Sequence, residues 1–203
     1  MGVWGLTLTG KTIGFGLTGS HCTLSRVFVL LEELVRLGAD VVPVVSEAVA
    51  TTATRFGTPD DWLGELRRVT GKEPLRSISE VEPFGPEKRL DVMVVAPCTG
   101  NTLAKLANGI TDTPVTMACK AHLRNQRPVV LSISTNDGLG MNARNLGVLL
   151  NTRHVYFVPF GQDNPEVKPN SLDSDLGQLV PAVEAALEGR QVQPLLVQRA
   201  ERH

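Results

Sequence analysis

The sequence has little of what marks membrane, secreted or nucleic-acid-binding proteins. It holds no apolar run long enough to span a membrane, no basic stripe, and a net charge of only −1. One tyrosine and two tryptophans are too few for the aromatic platforms on which nucleic-acid bases stack. The first twelve residues lack the basic region and the long apolar core of a signal peptide. We therefore expect a cytoplasmic protein that binds neither a membrane nor a nucleic acid.

Cysteine is also scarce. Cys22, Cys98 and Cys119 are odd in number and widely spaced, which indicates reduced thiols rather than a disulfide framework. Cys119 and His122 lie three apart on a predicted helix, and His21 adjoins Cys22, but a zinc site needs three or four ligands. We predict no metal site. Cys98 has no histidine near it in the sequence, so a small packed residue lining a pocket is a better interpretation than a nucleophile.

The sequence does contain a regular alternation of buried apolar runs and amphipathic segments. Continuous apolar strands that alternate with helices are typical of a parallel sheet covered on both faces. We predict one three-layer α/β domain over residues 1–190, Rossmann-like or flavodoxin-like, with a parallel sheet of about six strands and a loose tail over 191–203. The predicted strands cover 12–17, 40–45, 91–96, 128–134 and 154–159, with a short one near Ile78 and a loop over 161–171.

Polar turns follow several of these strands. Ligands of such folds bind outside the carboxyl ends of the strands, where first-turn N–H groups of the next helix point outward. The run from Ala96 to Gly109 is the most informative, because its turn offers three capping side chains where one is enough. We predict that a phosphate- or carboxylate-bearing cofactor contacts these turns through Gly19, Ser20, Ser46, Pro97, Thr99, Asn101 and Thr102.

The turn after the fourth long strand supplies the substrate candidates. Arginine can hold a carboxylate through two parallel hydrogen bonds, so an arginine just beyond this turn suits an acidic substrate. Charged residues in such turns are more often solvated than functional, but here they share one edge of the predicted sheet. The candidates are Asn136, Asp137, Asn142 and Arg144.

Two nucleotide-binding patterns match by letter. The segment from Gly5 to Thr12 fits the phosphate-loop pattern, but only four residues precede it where a buried strand is required. Gly14, Gly16 and Gly19 fit the dinucleotide pattern, yet the second strand ends in Ser46 rather than in the acid that binds a ribose. A mononucleotide therefore suits the first turn better than NAD does.

The turn Pro97-Cys98-Thr99-Gly100-Asn101-Thr102 resembles the P-A-S-A-N-T signature of the homo-oligomeric flavin-containing Cys decarboxylases. A second signature of that family, P-x-M-N-x-x-M-W, is reduced here to Met141-Asn142. The resemblance implies FMN as a possible cofactor and a homo-oligomer in which the Met141 segment reaches a neighbouring subunit. The catalytic histidine of the family is absent from residues 47–62, so we expect no decarboxylase activity from this chain alone.

Five segments resemble, more narrowly, members of this family that serve as one subunit of an oxidoreductase in spore-forming bacteria. They are residues 16–23, 97–112, 134–140, 159–165 and 168–172. The resemblance implies action with an NAD(P)-dependent A subunit, in the mother cell, to oxidise a dihydro precursor to a pyridine dicarboxylate. It leaves two alternatives: an FMN-dependent decarboxylase of a cysteine-type carboxylate, and a non-catalytic scaffold subunit with a vestigial nucleotide pocket.

Overall fold

The computed structural model describes residues 8–198. Seven strands form one sheet within this part of the chain. The strands are β1 (Thr12–Leu17), β2 (Asp40–Val45), β3 (Val92–Cys98), β4 (Val129–Thr135), β5 (Val155–Phe157), β6 (Phe160–Asn164) and β7 (Lys168–Ser174). The helices are α1 (His21–Arg36), α2 (Glu47–Thr51), α3 (Pro59–Thr70), α4 (Ile78–Val81), α5 (Phe84–Glu87), α6 (Gly100–Ala107), α7 (Pro114–Leu123), α8 (Ala143–Leu150) and α9 (Leu179–Leu187).

The first five strands are parallel and lie in the order β2-β1-β3-β4-β5. This is the order of flavodoxin-like sheets, whose switch point lies between β1 and β3. Apolar side chains cover both faces of the sheet. One cluster packs α1, α3 and α9 on one face, and the other packs α7 and α8 on the opposite face. The predicted three-layer Rossmann-like or flavodoxin-like fold is therefore confirmed.

Local sequence explains where several helices begin and end. Thr58 caps α3: its Oγ1 accepts from the Asp61 N–H, and the Asp61 carboxylate accepts from the Thr58 N–H. Pro59 occupies the first helical position, where no N–H is needed, and Gly71 ends the helix in the left-handed conformation. Thr113 caps α7 in the same way. These signals confirm the predicted helix starts at 58 and 113.

The sheet differs from the prediction at its far side. Residues 160–174 form an antiparallel hairpin, β6–β7, although the sequence favours a loop over 161–171. This hairpin joins the sheet where β7 pairs antiparallel with the end of β4, at Ser134–Asp173 and Thr135–Leu172. Its strands are polar and half exposed, so they lack the apolar alternation that identifies a strand. The sheet is mixed rather than wholly parallel.

Three smaller expectations are also corrected. β3 continues through Pro97 to Cys98, with a bulge in its pairing to β4, whereas the sequence places its end at Pro97. The segment near Ile78 is the short helix α4 because Ser77 and Glu80 form a capping box there. The predicted helix over 141–151 begins only at Ala143.

Part of the predicted loose tail is ordered against the sheet. The Phe160 N–H donates to the Leu195 carbonyl and the Val197 N–H donates to the Phe160 carbonyl, at 3.0 Å each. The Gln191 side chain bonds to both backbone groups of Phe157. Residues 199–203 of that tail, and residues 5–7 of the phosphate-loop match, lie outside the described residues. None of the helices between residues 8 and 198 is long and apolar enough to cross a membrane.

Candidate functional site

The switch point of the sheet is held together by Thr18. This residue follows β1 and is almost fully buried. Its Oγ1 donates to the Pro97 carbonyl at 2.6 Å and accepts from the Thr99 N–H at 3.0 Å. One hydroxyl therefore ties the turn after β1 to the turn after β3. Thr18 is not among the residues predicted from the sequence, although its place between a buried strand and Gly19 is a usable signal.

The turn after β3 opens α6 as the sequence predicts. Thr99 is the cap: its Oγ1 accepts from the Thr102 N–H and lies 3.0 Å from the Thr102 hydroxyl. Asn101 is exposed in the first turn, whereas Pro97 and Thr102 are buried. Gly100 sits against β4, because a Cβ built on it would lie 2.5 Å from Thr135 Oγ1. Pro97, Thr99, Asn101 and Thr102 thus share one end of the sheet.

The turns after β1 and β2 lie beside it. Ser46 starts α2, and its Oγ is buried with no hydrogen-bond partner within residues 8–198. The Ser46 N–H donates to the Leu17 carbonyl, which joins the ends of β1 and β2. Gly19 faces the same helix, since a Cβ there would lie 3.0 Å from that of Ala48. A buried hydroxyl without a protein partner at a helix start suits an anionic ligand.

Ser20 stands between this region and the hairpin. Its Oγ lies 2.9 Å from Ser134 Oγ and 3.3 Å from Thr23 Oγ1, and the last two are 3.0 Å apart. Three hydroxyls in mutual contact can donate around a ring or turn a proton toward a ligand. The ring joins the start of α1 to the end of β4. Ser20 therefore borders both parts of the site.

The four substrate candidates separate in the structure. Asp137 Oδ1 accepts from Thr135 Oγ1 at 2.9 Å and from Asn142 Nδ2 at 2.8 Å, and Asn145 continues this network by donating to Asn142 Oδ1. Asp137 and Asn142 thus hold the turn after β4 in place. Asn136 is exposed and lines a cleft, whereas Arg144 is exposed on α8 and does not line that cleft.

The cleft lies between α1, the end of β4 and the β6–β7 hairpin. We call it the hairpin cleft, and its volume of about 700 Å³ is in the range of small-molecule sites. Its inner wall carries Arg26, whose Nη1 lies 3.5 Å from the buried Asp173 carboxylate of β7. Neither residue is among those predicted from the sequence, because the cleft that Arg26 lines and the strand that carries Asp173 exist only once the hairpin is formed. The cleft is lined by Ser20, Cys22, Thr23, Arg26, Ser134, Thr135, Asn136 and residues 163–168 and 171–173.

Burial shifts the pKa values of several cysteine and histidine side chains. Burial raises the pKa of the Cys98 thiol to about 12, so a thiolate is disfavoured there and the packed interpretation stands. Burial also raises the pKa of the Cys119 thiol. His122 is buried, and its pKa is lowered to about 4, mainly by burial and to a smaller extent by the nearby charge of Arg127. Burial lowers the pKa of His21 as well. Among residues 8–198, no three potential ligands from His, Cys, Asp and Glu lie together as a metal site.

Known proteins match this chain over nearly its whole length. The profile of the Flavoprotein family matches residues 5–171. The chain is 53% identical over 192 residues to the dipicolinate synthase B subunit of Bacillus subtilis (strain 168), and the match covers 95% of this chain and 96% of that protein.

Two solved structures are similar. The crystal structure of the dipicolinate synthase B subunit from Bacillus halodurans has a TM-score of 0.88 at 50% identity, and the match covers 96% of this chain and all of that one. Burkholderia xenovorans DmrB in complex with FMN has a TM-score of 0.65 at 21% identity, over 88% of this chain and 96% of that chain. The second likeness concerns the fold alone.

Proposed function

This chain belongs to the Flavoprotein family and is a homologue of the B subunit of dipicolinate synthase, and from that premise we propose that it acts as the B subunit of such a synthase. Together with an NAD(P)-dependent A subunit it would oxidise a dihydrodipicolinate-type precursor to dipicolinate in the mother cell of a sporulating bacterium. The observation that carries the proposal is 53% identity over nearly the full length of both chains. A small dicarboxylate is then the substrate class.

The switch-point residues fit a flavin mononucleotide. The buried Ser46 hydroxyl has no hydrogen-bond partner among residues 8–198 and can donate to a phosphate. The hydroxyls of Thr99 and Thr102 and the first turns of α1 and α6 offer further donors. None of these residues carries a carboxylate, a group that would repel an anion. We propose that Gly19, Ser20, Ser46, Pro97, Thr99, Asn101 and Thr102 hold FMN.

Bound flavin supplies hydride transfer, while the protein supplies position and electrostatics. In this chain Thr18 sets the separation of the two turns that would flank the cofactor, because its hydroxyl bonds to Pro97 and Thr99 at the start of the second turn. Gly100 lets that turn approach β4 closely. The residues of β1 and β3 behind these turns are almost all buried, so they would keep water away from the side of the cofactor that faces the sheet.

The decarboxylase alternative has less support. Enolate-forming decarboxylation needs a positioned acid or base, and residues 47–62 hold no histidine. We propose that the isolated chain with FMN leaves cysteine-terminated peptides and phosphopantothenoylcysteine unchanged. Turnover of either compound would contradict this proposal.

We also propose a homo-oligomer. Leu139 and Met141, in the turn that the family resemblance assigns to a neighbouring subunit, are 47% and 78% exposed. Large apolar side chains in one turn favour burial against another chain, and closed symmetric rings are the default for such contacts. Light scattering on the chain at micromolar concentration tests this, and a strict monomer contradicts it.

The function is tested with the reconstituted pair. The purified chain and an A subunit are mixed, with and without FMN, and nicotinamide reduction is followed with the condensation product of the lysine pathway as substrate. We expect the pair to exceed the A subunit in rate or in substrate affinity. If the A subunit alone matches the pair, the proposed function is wrong.

The absorbance of the purified chain before and after FMN addition separates the two roles within the pair. A flavin spectrum, and activity that depends on added FMN, supports a cofactor at the switch point. A pair that is faster than the A subunit but indifferent to FMN supports the scaffold alternative instead.

A further inference from the structure

We propose that the hairpin cleft binds the small ring dicarboxylate, with Arg26 holding one carboxylate and Asp173 positioning the Arg26 guanidinium. The choice of ligand rests on the proposed function. The location does not, because it follows from the cleft and from the half-exposed Arg26 that lines it.

Arg26 is directed into the cleft by the helix that carries it. It follows Cys22 and Thr23 by four and three positions on α1, so the three share one helix face, and all three line the cleft. The Arg26 side chain is 35% exposed, whereas Asp173 is 10% exposed. The guanidinium is therefore open to a ligand from the cleft, and the carboxylate behind it is not.

Asp173 acts from behind Arg26. A buried carboxylate is costly unless a cation pairs with it, so Asp173 favours the position of Arg26 at the cleft wall. The contact is 3.5 Å and involves Nη1 of a guanidinium with five N–H donors. The remaining donors can form the paired hydrogen bonds by which arginine grips a carboxylate.

The other charged groups of the cleft lie on the hairpin. Lys168 Nζ is 3.2 Å from Asp163 Oδ2, and both Lys168 and Glu166 are exposed toward the hairpin tip. Arg26 is thus the cation of the inner wall, with the hydroxyl ring of Ser20 and its two neighbours beside it. Lys168 is already paired with Asp163, so this arrangement favours a small ligand whose carboxylate is held by Arg26.

The test measures binding of pyridine-2,6-dicarboxylate to the full-length chain by isothermal titration calorimetry. Arg26→Gln should weaken binding by about tenfold or more, and Arg26→Lys, which keeps the charge but loses the paired donors, should weaken it by less. Lys168→Gln should cost less than Arg26→Gln. Arg36→Gln is the matched control: it lies on the same helix, is exposed, and is outside the cleft.

Because Arg26→Gln leaves Asp173 buried without this arginine, the double variant Arg26→Gln/Asp173→Asn is measured too. Loss of binding in the double variant, with the thermal midpoint of unfolding retained, supports the assignment. Asp173→Asn alone should weaken dicarboxylate binding and should do so less than Arg26→Gln, as expected of a positioning residue.

Three results would overturn the inference. The first is wild-type affinity in Arg26→Gln and in the double variant. The second is loss of binding in Arg144→Ala but not in Arg26→Gln. The third is displacement of the dicarboxylate by an equal concentration of inorganic phosphate or FMN, which would make the cleft part of the cofactor site. If binding depends on Arg26 but this chain has no effect on the A subunit, the assignment of the cleft as a binding site holds and the proposed function is wrong.

Discussion

The two halves of the carboxyl edge of the sheet are built differently. On one side the switch-point turns, residues 18–20 and 97–102, follow buried parallel strands and are tied together by one buried threonine hydroxyl. On the other side the hairpin cleft is closed by polar strands that join β4 antiparallel at Ser134–Asp173 and Thr135–Leu172. The first half is buried and closely packed, whereas the second is polar, charged and partly exposed.

This difference matters for function. A tightly packed turn can hold a cofactor in one position, since its hydroxyls and N–H groups are already placed. A polar cleft with a half-exposed arginine can admit and release a small acid. Substitutions at the switch point should therefore lower the stability of the protein. Substitutions in the hairpin cleft should mainly lower its affinity for ligands.

The largest effect is expected at Gly100. Its missing side chain leaves no room, because a Cβ would lie 2.5 Å from Thr135 Oγ1 and 2.7 Å from Asn142 Nδ2. Gly100→Val should lower the free energy of unfolding by about 3 kcal/mol, measured by urea denaturation, and should abolish FMN binding. Gly64→Ala on α3, where nothing lies within 4 Å, should be neutral or stabilising. Equal stability of the two variants would contradict close packing at the switch point.

Acid should destabilise the parallel half next most strongly. The pKa of His122 on α7 is lowered to about 4 from 6.5, chiefly by burial, so the unfolded chain binds the proton more readily than the folded one. Its stabilisation is complete above pH 6.5 and is lost as pH falls toward 4, by roughly 2–3 kcal/mol. The free energy of unfolding against pH measures this.

The control for that pH dependence is a second histidine. His122→Gln should flatten the fall in stability between pH 6.5 and 4, whereas His154→Asn, which keeps a residue tolerant of the positive φ there, should retain it. The hairpin contains no histidine and should not contribute. An unchanged slope in His122→Gln would assign the acid sensitivity elsewhere.

Thr18→Val should cost about 2 kcal/mol of unfolding free energy. The variant keeps the volume but leaves the Pro97 carbonyl and the Thr99 N–H without their buried partner. Hydrogen exchange at Thr99 should quicken, and FMN affinity should fall. Thr152→Val, which removes an exposed hydroxyl bond to the Val148 carbonyl, should change stability by less than about 0.5 kcal/mol. A silent Thr18→Val would show that the hydroxyl does not join the two turns energetically.

Lys168→Gln should have the smallest effect on stability. It removes an exposed ion pair with Asp163 on the hairpin, and such pairs contribute less than about 1 kcal/mol. Lys105→Gln, which removes the Lys105–Asp112 pair in the other half, is the comparison and should change the melting temperature as little. A large loss of stability in Lys168→Gln alone would mean that charge, rather than backbone pairing, holds the hairpin.

Local sequence was sufficient to predict the parallel half. A short apolar run such as residues 92–96, ended by a proline and a polar turn, is typical of a buried strand. Thr58, Thr113 and Thr99 are capping residues whose effect extends over one helical turn. The position of the candidate site then follows from the rule that ligands of parallel sheets bind at the carboxyl ends of the strands. For this half the predicted strands and helix starts match the elements of the structure.

The hairpin could not be predicted in the same way. Lys168 to Ser174 contains a proline and mostly polar residues, and the buried members of that strand include Ser171, Asp173 and Ser174. The register of such a strand comes from a distant partner, here the end of β4, and leaves no periodic signal along the chain.

The amino-acid sequence alone therefore determined the fold class, the parallel core and the polar turns at its edge, because buried apolar runs and helix caps act within a few residues. The tertiary structure alone decided which arginine faces the cleft. Arg26 and Asp173 are distant in sequence and meet only when β7 pairs with β4. Arg144, which follows the turn after β4, is instead exposed on α8.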